Sequence, residues 1–275
     1  MPVELHSIRT NGIATTVAAA GTGPAVLLLH GFPHTWQLWQ EVMPRLAMQY
    51  RVLAPDLRWT GSDATDGHDA ATLADDALGI LDALGERSAA VVGIDAGTPP
   101  AALPALRNPD RVRRLVLMES LLGTLPGAED FLAGGPPWWF GFHAVPGLAE
   151  EVLAGHEAAY LDFFLDAGTH GQGVPAGVRD AFVRAYTGSA ALRRAFSYYR
   201  ALPESARQIA AVTRGARLTV PTLAVGAHPV GDALARQLRP HTDDLREELI
   251  EDCGHIIPLH RPAELVSVLE PFLAG

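Results

Sequence analysis

Gly93-Ile94-Asp95-Ala96-Gly97 is the segment of this chain best suited to chemistry. The apolar run Ala89-Ala90-Val91-Val92 reads as a buried strand leading into it. A glycine at each end relieves crowding around a nucleophile held on a sharp strand-to-helix turn. The residue at the apex is an Asp. A carboxylate there can attack an sp3 carbon and form an ester that water later cleaves. Such chemistry suits epoxides or alkyl halides rather than peptides. Taken alone, the pentapeptide also fits an ordinary Gly- and Asp-rich turn, so its meaning depends on what must position it.

The surrounding pattern is that of an α/β protein. Residues 4–9 and 13–19 read as a hairpin around Thr10-Asn11-Gly12. Short continuous apolar runs follow at 25–30, 50–54, 89–93 and 113–119, each suited to a strand buried on both faces of a mostly parallel sheet. Helical patterns separate them at 38–48, 70–84 and 100–108. Strands alternating with helices predict βαβ units and a doubly wound sheet. From residue 121 to 217 the rhythm breaks, and the chain reads as helices rich in Trp, Tyr and Phe. It resumes with strands at 218–225 and 245–250 and a closing helix at 262–273. The expected organisation is one α/β core, 1–120 with 218–275, carrying a helical insertion at 121–217.

Three segments fall just after predicted strands, where open α/β sheets place their sites. They are His30-Gly31-Phe32-Pro33, the Asp95 turn, and Asp252-Cys253-Gly254-His255. Their order resembles the α/β-hydrolase fold, with an oxyanion-hole loop, a nucleophile elbow, a late loop carrying the base, and a cap inserted after strand six of an eight-stranded sheet with helices on both faces. An aspartate nucleophile is similar to the epoxide hydrolase and dehalogenase branch. That resemblance implies roles. Asp95 attacks carbon, the N–H groups of Phe32 and Ala96 stabilise an oxyanion, and His255 takes a proton from water. The acid that orients His255 is Glu119, after strand six, in preference to Asp232, the carboxylate nearest strand seven. The segment from Asp56 to Ser62 resembles the family's DxRGxGxS loop, with departures at Trp59 and Thr60. Asp56 and Arg58 read as pins of that loop.

The residue after the nucleophile, Ala96, carries no donor for a halide, and no Arg follows in Ala96-Gly97-Thr98-Pro99-Pro100-Ala101 to hold a haloacid. Both absences favour an epoxide as the small-molecule substrate. A dehalogenase, or a non-hydrolytic accessory protein that kept the fold, remain the alternatives. An epoxide oxygen needs a donor, and the resemblance points to cap tyrosines. Tyr198 and Tyr199 are candidates, and since helix neighbours point about 100° apart, only one is expected to face the pocket, with Tyr199 preferred. Trp138, Trp139 and His30 complete the expected substrate contacts. The small elbow and aromatic insertion suggest a bulky aromatic substrate, similar to those of tailoring epoxide hydrolases in bacterial aromatic-polyketide antibiotic pathways of the kinamycin and lomaiviticin type.

The bulk numbers set limits. A length of 275 residues suits one large α/β domain. A net charge of −10 argues against nucleic acid. Every basic residue is Arg. Cys253 is the single cysteine, which excludes an intrachain disulfide. The N-terminus lacks a basic and apolar leader, and no run of 18 apolar residues occurs, so a cytoplasmic protein without membrane contact is expected. No His/Asp/Glu cluster has ligand spacing, so neither a metal nor another cofactor is expected. A homodimer is compatible with this reading.

Overall fold

The structure is a computed structural model and describes residues 2–275. Eight strands form one sheet: β1 (Glu4–Thr10), β2 (Ile13–Ala20), β3 (Ala25–Leu29), β4 (Arg51–Pro55), β5 (Ala89–Ile94), β6 (Val112–Met118), β7 (Thr222–Gly226) and β8 (Leu245–Leu249). Their spatial order is β1-β2-β4-β3-β5-β6-β7-β8. The β1–β2 and β2–β4 pairings are antiparallel, and the other five are parallel. β3 and β5 are buried at every position, which is why they read as unbroken apolar runs.

The helices are α1 (Met43–Leu46), α2 (Arg58–Gly61), α3 (Ala70–Ala83), α4 (Thr98–Arg107), α5 (Trp138–Ala144), α6 (Leu148–Leu153), α7 (Glu157–Ala167), α8 (Ala176–Tyr186), α9 (Ser189–Thr213), α10 (Ala233–Leu238), α11 (Ile257–His260) and α12 (Pro262–Ala274). Five of them, α5 to α9, lie between β6 and β7. Among the described residues, no helix is long and apolar enough to cross a membrane.

Two expected elements came out shorter. The helix expected over 38–48 is a short 3-10 turn, Trp36–Trp39, followed by the one-turn α1. Pro44 falls in the first turn of α1, where a missing N–H is best tolerated, and the helix starts there instead of running through it. The strand expected over 218–225 begins only at Thr222, with Leu218 making one isolated bridge to Thr242. Pro221 has no N–H to give to a ladder.

Candidate active site

Strand register assembles the site. Leu29 of β3 lies beside Gly93 of β5, Ile94 beside Met118 of β6, and Met118 beside Val225 of β7. The parallel strands therefore end almost level. The residues that follow, His30, Asp95, Glu119 and Ala227, come from segments far apart in sequence and emerge together. Asp95 and Glu119 each leave their strand with a positive φ, 52° and 43°. Such backbone is uncommon outside glycine and turns a side chain sharply out of the strand direction. Close approach then demands glycine nearby. A Cβ on Gly31 would lie 2.3 Å from Asp95 Oδ1, and one on Gly97 would lie 2.5 Å from the Leu29 carbonyl oxygen.

The polar contacts form a chain. The Phe32 N–H donates to Asp95 Oδ1 at 2.8 Å. His255 Nε2 lies 3.3 Å from Asp95 Oδ2, and its Nδ1 lies 3.1 Å from Glu119 Oε2. Glu119 is fully buried and also accepts from the N–H of Ala227 at 2.6 Å. Asp232 instead is exposed and faces Arg236 at 3.5 Å. The fold thus brings Glu119, not Asp232, to His255. Asp56 accepts the Trp36 N–H at 2.9 Å, and Arg58 forms a buried bidentate pair with Asp76 at 2.8 Å, so both pin loops away from the reacting groups.

These contacts set the protonation states. Burial alone would make His255 harder to protonate, but its hydrogen bonds to Asp95 and Glu119, with both charges, raise its pKa to about 10. Burial would raise the pKa of Asp95, yet His255 and the N–H groups of Ala96 and Phe32 hold it below the ordinary carboxylate value. The resting site is therefore a carboxylate against an imidazolium, with the Phe32 and Ala96 N–H groups gathered on the same carboxylate.

A cavity of about 620 Å³ opens over Asp95, Glu119 and His255, bounded by the inserted helices. Phe32, Trp139, Phe140, Phe164, Tyr198 and Tyr199 contribute aromatic wall, and no Arg or Lys lines it. Both tyrosines reach the cavity, which corrects the expectation that only one would. The cavity is lined along α9 from Tyr198 to Ile209, and the two rings stand at 85° to each other. Burial, then the charge of Asp95, raises the pKa of both phenols, so each carries its proton. Neither hydroxyl has a hydrogen-bond partner among the described residues, in contrast to Tyr160, bonded to His143, and Tyr186.

Two expected substrate contacts are not made. Trp138 is 56% exposed and packs on Trp139, Phe142 and Phe163, because adjacent positions on α5 face different ways. His30 is fully buried beneath the site. Its Nε2 accepts the Leu57 N–H at 3.0 Å and its Nδ1 lies 2.8 Å from the Gly31 carbonyl. Burial, against the pull of Gly31 and Asp95, lowers its pKa to about 4. It is a neutral brace of two loops. Phe140, Phe164 and Leu202 were not singled out as cavity residues by sequence reasoning. Their aromatic or aliphatic character fits packing anywhere, and only the fold shows where they point.

Comparison with known proteins bears on the fold. A family model described as alpha/beta hydrolase fold matches residues 24–262. A soluble epoxide hydrolase of Corynebacterium sp. (strain C12) is 28% identical, over 98% of this chain and 96% of that protein. Epoxide hydrolase 3 of Siraitia grosvenorii is 36% identical over 58% of this chain and 54% of its own length. The solved structure of epoxide hydrolase CorEH without ligand superposes with a TM-score of 0.90 at 27% identity, covering 99% of each chain.

Proposed function

The chain belongs to the α/β-hydrolase-fold family, and we propose that within it this protein is an epoxide hydrolase working through a covalent ester on Asp95. The observation that carries the reading is the Asp95–His255–Glu119 chain at 3.3 and 3.1 Å beneath an aromatic cavity. Full-length likeness to an epoxide hydrolase supports it.

Oδ1 of Asp95 accepts the Phe32 N–H, so Oδ2, on the side of His255, is assigned the attack. It bonds to an epoxide carbon as the ring C–O bond breaks. The ring oxygen takes a proton from Tyr198 or Tyr199, and the imidazolium of His255 replaces that proton. Esterification removes the charge on Asp95, and with it one of the two groups that kept His255 protonated. The neutral imidazole is then a base, held by Glu119. It takes one proton from a water whose oxygen adds to the ester carbon. The charge that develops on Oδ1 meets the N–H groups of Phe32 and Ala96. When the intermediate collapses, the alcohol leaves with Oδ2 and the proton of the added hydroxyl. The vicinal diol departs, and carboxylate and imidazolium are restored.

Helices α5 to α9 act as the cap in this scheme. Their wall, without Lys or Arg, suits an uncharged, bulky and flat substrate, of which an aromatic-polyketide epoxide is an example. Its lack of an Arg also weighs against a haloacid, and Trp59, whose indole N–H is already taken by Tyr186 at 3.1 Å, is no halide donor. A single turnover in 18O-labelled water tests the route with a styrene-type epoxide. Label is expected in Asp95 and not in the first diol, since the diol carries the old Oδ2. Label in the first diol would overturn the ester mechanism.

A further inference from the structure

The N–H of Phe32 can act on Oδ1 only if its loop is held, and much of the hold comes from the inserted helices. Tyr186, the last residue of α8, is fully buried. Its hydroxyl donates to the His34 carbonyl at 2.8 Å and accepts the indole N–H of Trp59 at 3.1 Å. These directions are forced, because an indole N–H can only donate and a carbonyl can only accept. The Tyr186 ring also meets the Phe32 ring edge-on, with centroids 5.3 Å apart. The loop's other backbone ties are local or to the core: the Gly31 carbonyl meets His30 Nδ1 at 2.8 Å and the His34 N–H at 3.0 Å, the Thr35 carbonyl accepts the Leu38 N–H at 3.0 Å, and the Trp36 N–H donates to Asp56.

Tyr186 differs in this from Tyr198 and Tyr199. Its one proton is committed to a backbone carbonyl, and burial raises its pKa well above the ordinary value. It is therefore no donor to a substrate. Trp59, which departs from the glycine of the resembled loop, supplies the bond that turns the Tyr186 hydroxyl toward His34.

We propose that Trp59 and Tyr186 are positioning residues: their relay to the His34 carbonyl sets the Phe32 N–H for the ester-hydrolysis step and couples the inserted helices to that step. The proposal rests on the ester reading above. It also makes a kinetic distinction. The Phe32 N–H already touches Oδ1 in the resting enzyme, where the carboxylate holds it. The ester oxygen is a weaker acceptor, so the loop needs its external hold most when the oxyanion develops.

The test is steady-state and single-turnover kinetics of Tyr186→Phe and Trp59→Phe with an aryl epoxide. Loss of an oxyanion donor costs roughly 10²–10³ in rate, so a donor displaced but present should cost ~10-fold. For Tyr186→Phe, kcat and KM are expected to fall together by about that factor while kcat/KM, which reports ester formation, stays within about twofold. Mass spectrometry should show more enzyme trapped as its ester. Trp59→Phe keeps the Tyr186 bond to His34 but frees the hydroxyl to turn, so the same pattern at about threefold is expected. A general loosening would instead lower kcat/KM. That outcome, or unchanged ester hydrolysis, overturns the proposal. If one variant fails to fold, the other decides. The 18O single turnover of the parent enzyme separates the two levels. If label enters the first diol, the ester reading itself is wrong. If label enters Asp95 instead, and both relay variants hydrolyse ester like the parent, only the relay is wrong.

Discussion

The floor and the roof of the cavity are built on opposite principles. On the floor, Asp95, His255 and Glu119 are tied to one another or to backbone N–H groups at 2.6 to 3.3 Å. On the roof, Tyr198 and Tyr199 present free hydroxyls among aromatic edges. The floor is held by backbone at strand ends, so its geometry is dictated by sheet register. The roof is held by side-chain packing between helices. A preorganised floor suits charge that appears only during reaction, whereas an apolar wall with few polar groups suits recognition of an apolar ligand. In the proposed scheme, chemistry therefore belongs to the core and choice of substrate to the insertion.

The largest expected effect attacks the floor. Glu119→Gln should cost roughly 10²–10⁴ in kcat, since His255 loses the acid that orients it. Asp232→Asn should stay within about twofold, because an exposed ion pair is worth little. The reverse result, read from kcat, would move the acid to Asp232. Next come the roof's two free phenols. Tyr198→Phe and Tyr199→Phe should each cost about tenfold in ester formation, and the double variant roughly 10²–10³, if either phenol can protonate the epoxide oxygen. A single variant as damaging as the pair would assign the role to one tyrosine.

The pH dependence sharpens the same contrast. Ester formation needs Asp95 ionised and His255 protonated, so kcat/KM should hold across neutral pH and fall as pH rises through about 10. The stability sign agrees. A histidine whose pKa is raised on folding stabilises fully below its ordinary value of 6.5 and loses that contribution as pH rises through about 10. In Asp95→Asn the NMR titration of His255 should move down towards the ordinary value. No movement would mean that Asp95 does not set it. The smallest effects divide the roof itself. Trp139→Ala should raise KM for an aryl epoxide by about tenfold, reflecting lost apolar contact. Trp138→Ala, on the outer face, should change KM by less than about twofold. Equal effects would mean that the cavity extends to Trp138.

Much of this was legible in the chain. Continuous apolar runs marked strands β3 to β6, and glycines 93 and 97 marked the elbow, because buried parallel strands and crowded turns leave few residue types usable. Asp95 stood out because it follows such a strand, and His255 because it lies in a Gly-preceded loop after the last strand. Boundaries failed where Pro44 and Pro221 cut elements short. Side-chain direction was the weaker reading. The 100° step between helix neighbours was applied to the two tyrosines, yet the cavity takes in both; the two tryptophans were expected together, yet only Trp139 lines it.

By itself, then, the sequence determined the class of fold and singled out Asp95 and His255 as the candidate nucleophile and base, since local pattern and turn chemistry confine these to a few residues. Only the tertiary structure decided that Glu119 meets His255, that His30 is a buried brace, and that Trp59 and Tyr186, 127 positions apart, share a hydrogen bond. Those pairings depend on strand register and on how the inserted helices settle on the core. Both are sums of many weak contacts between distant segments, and no local stretch of sequence carries them.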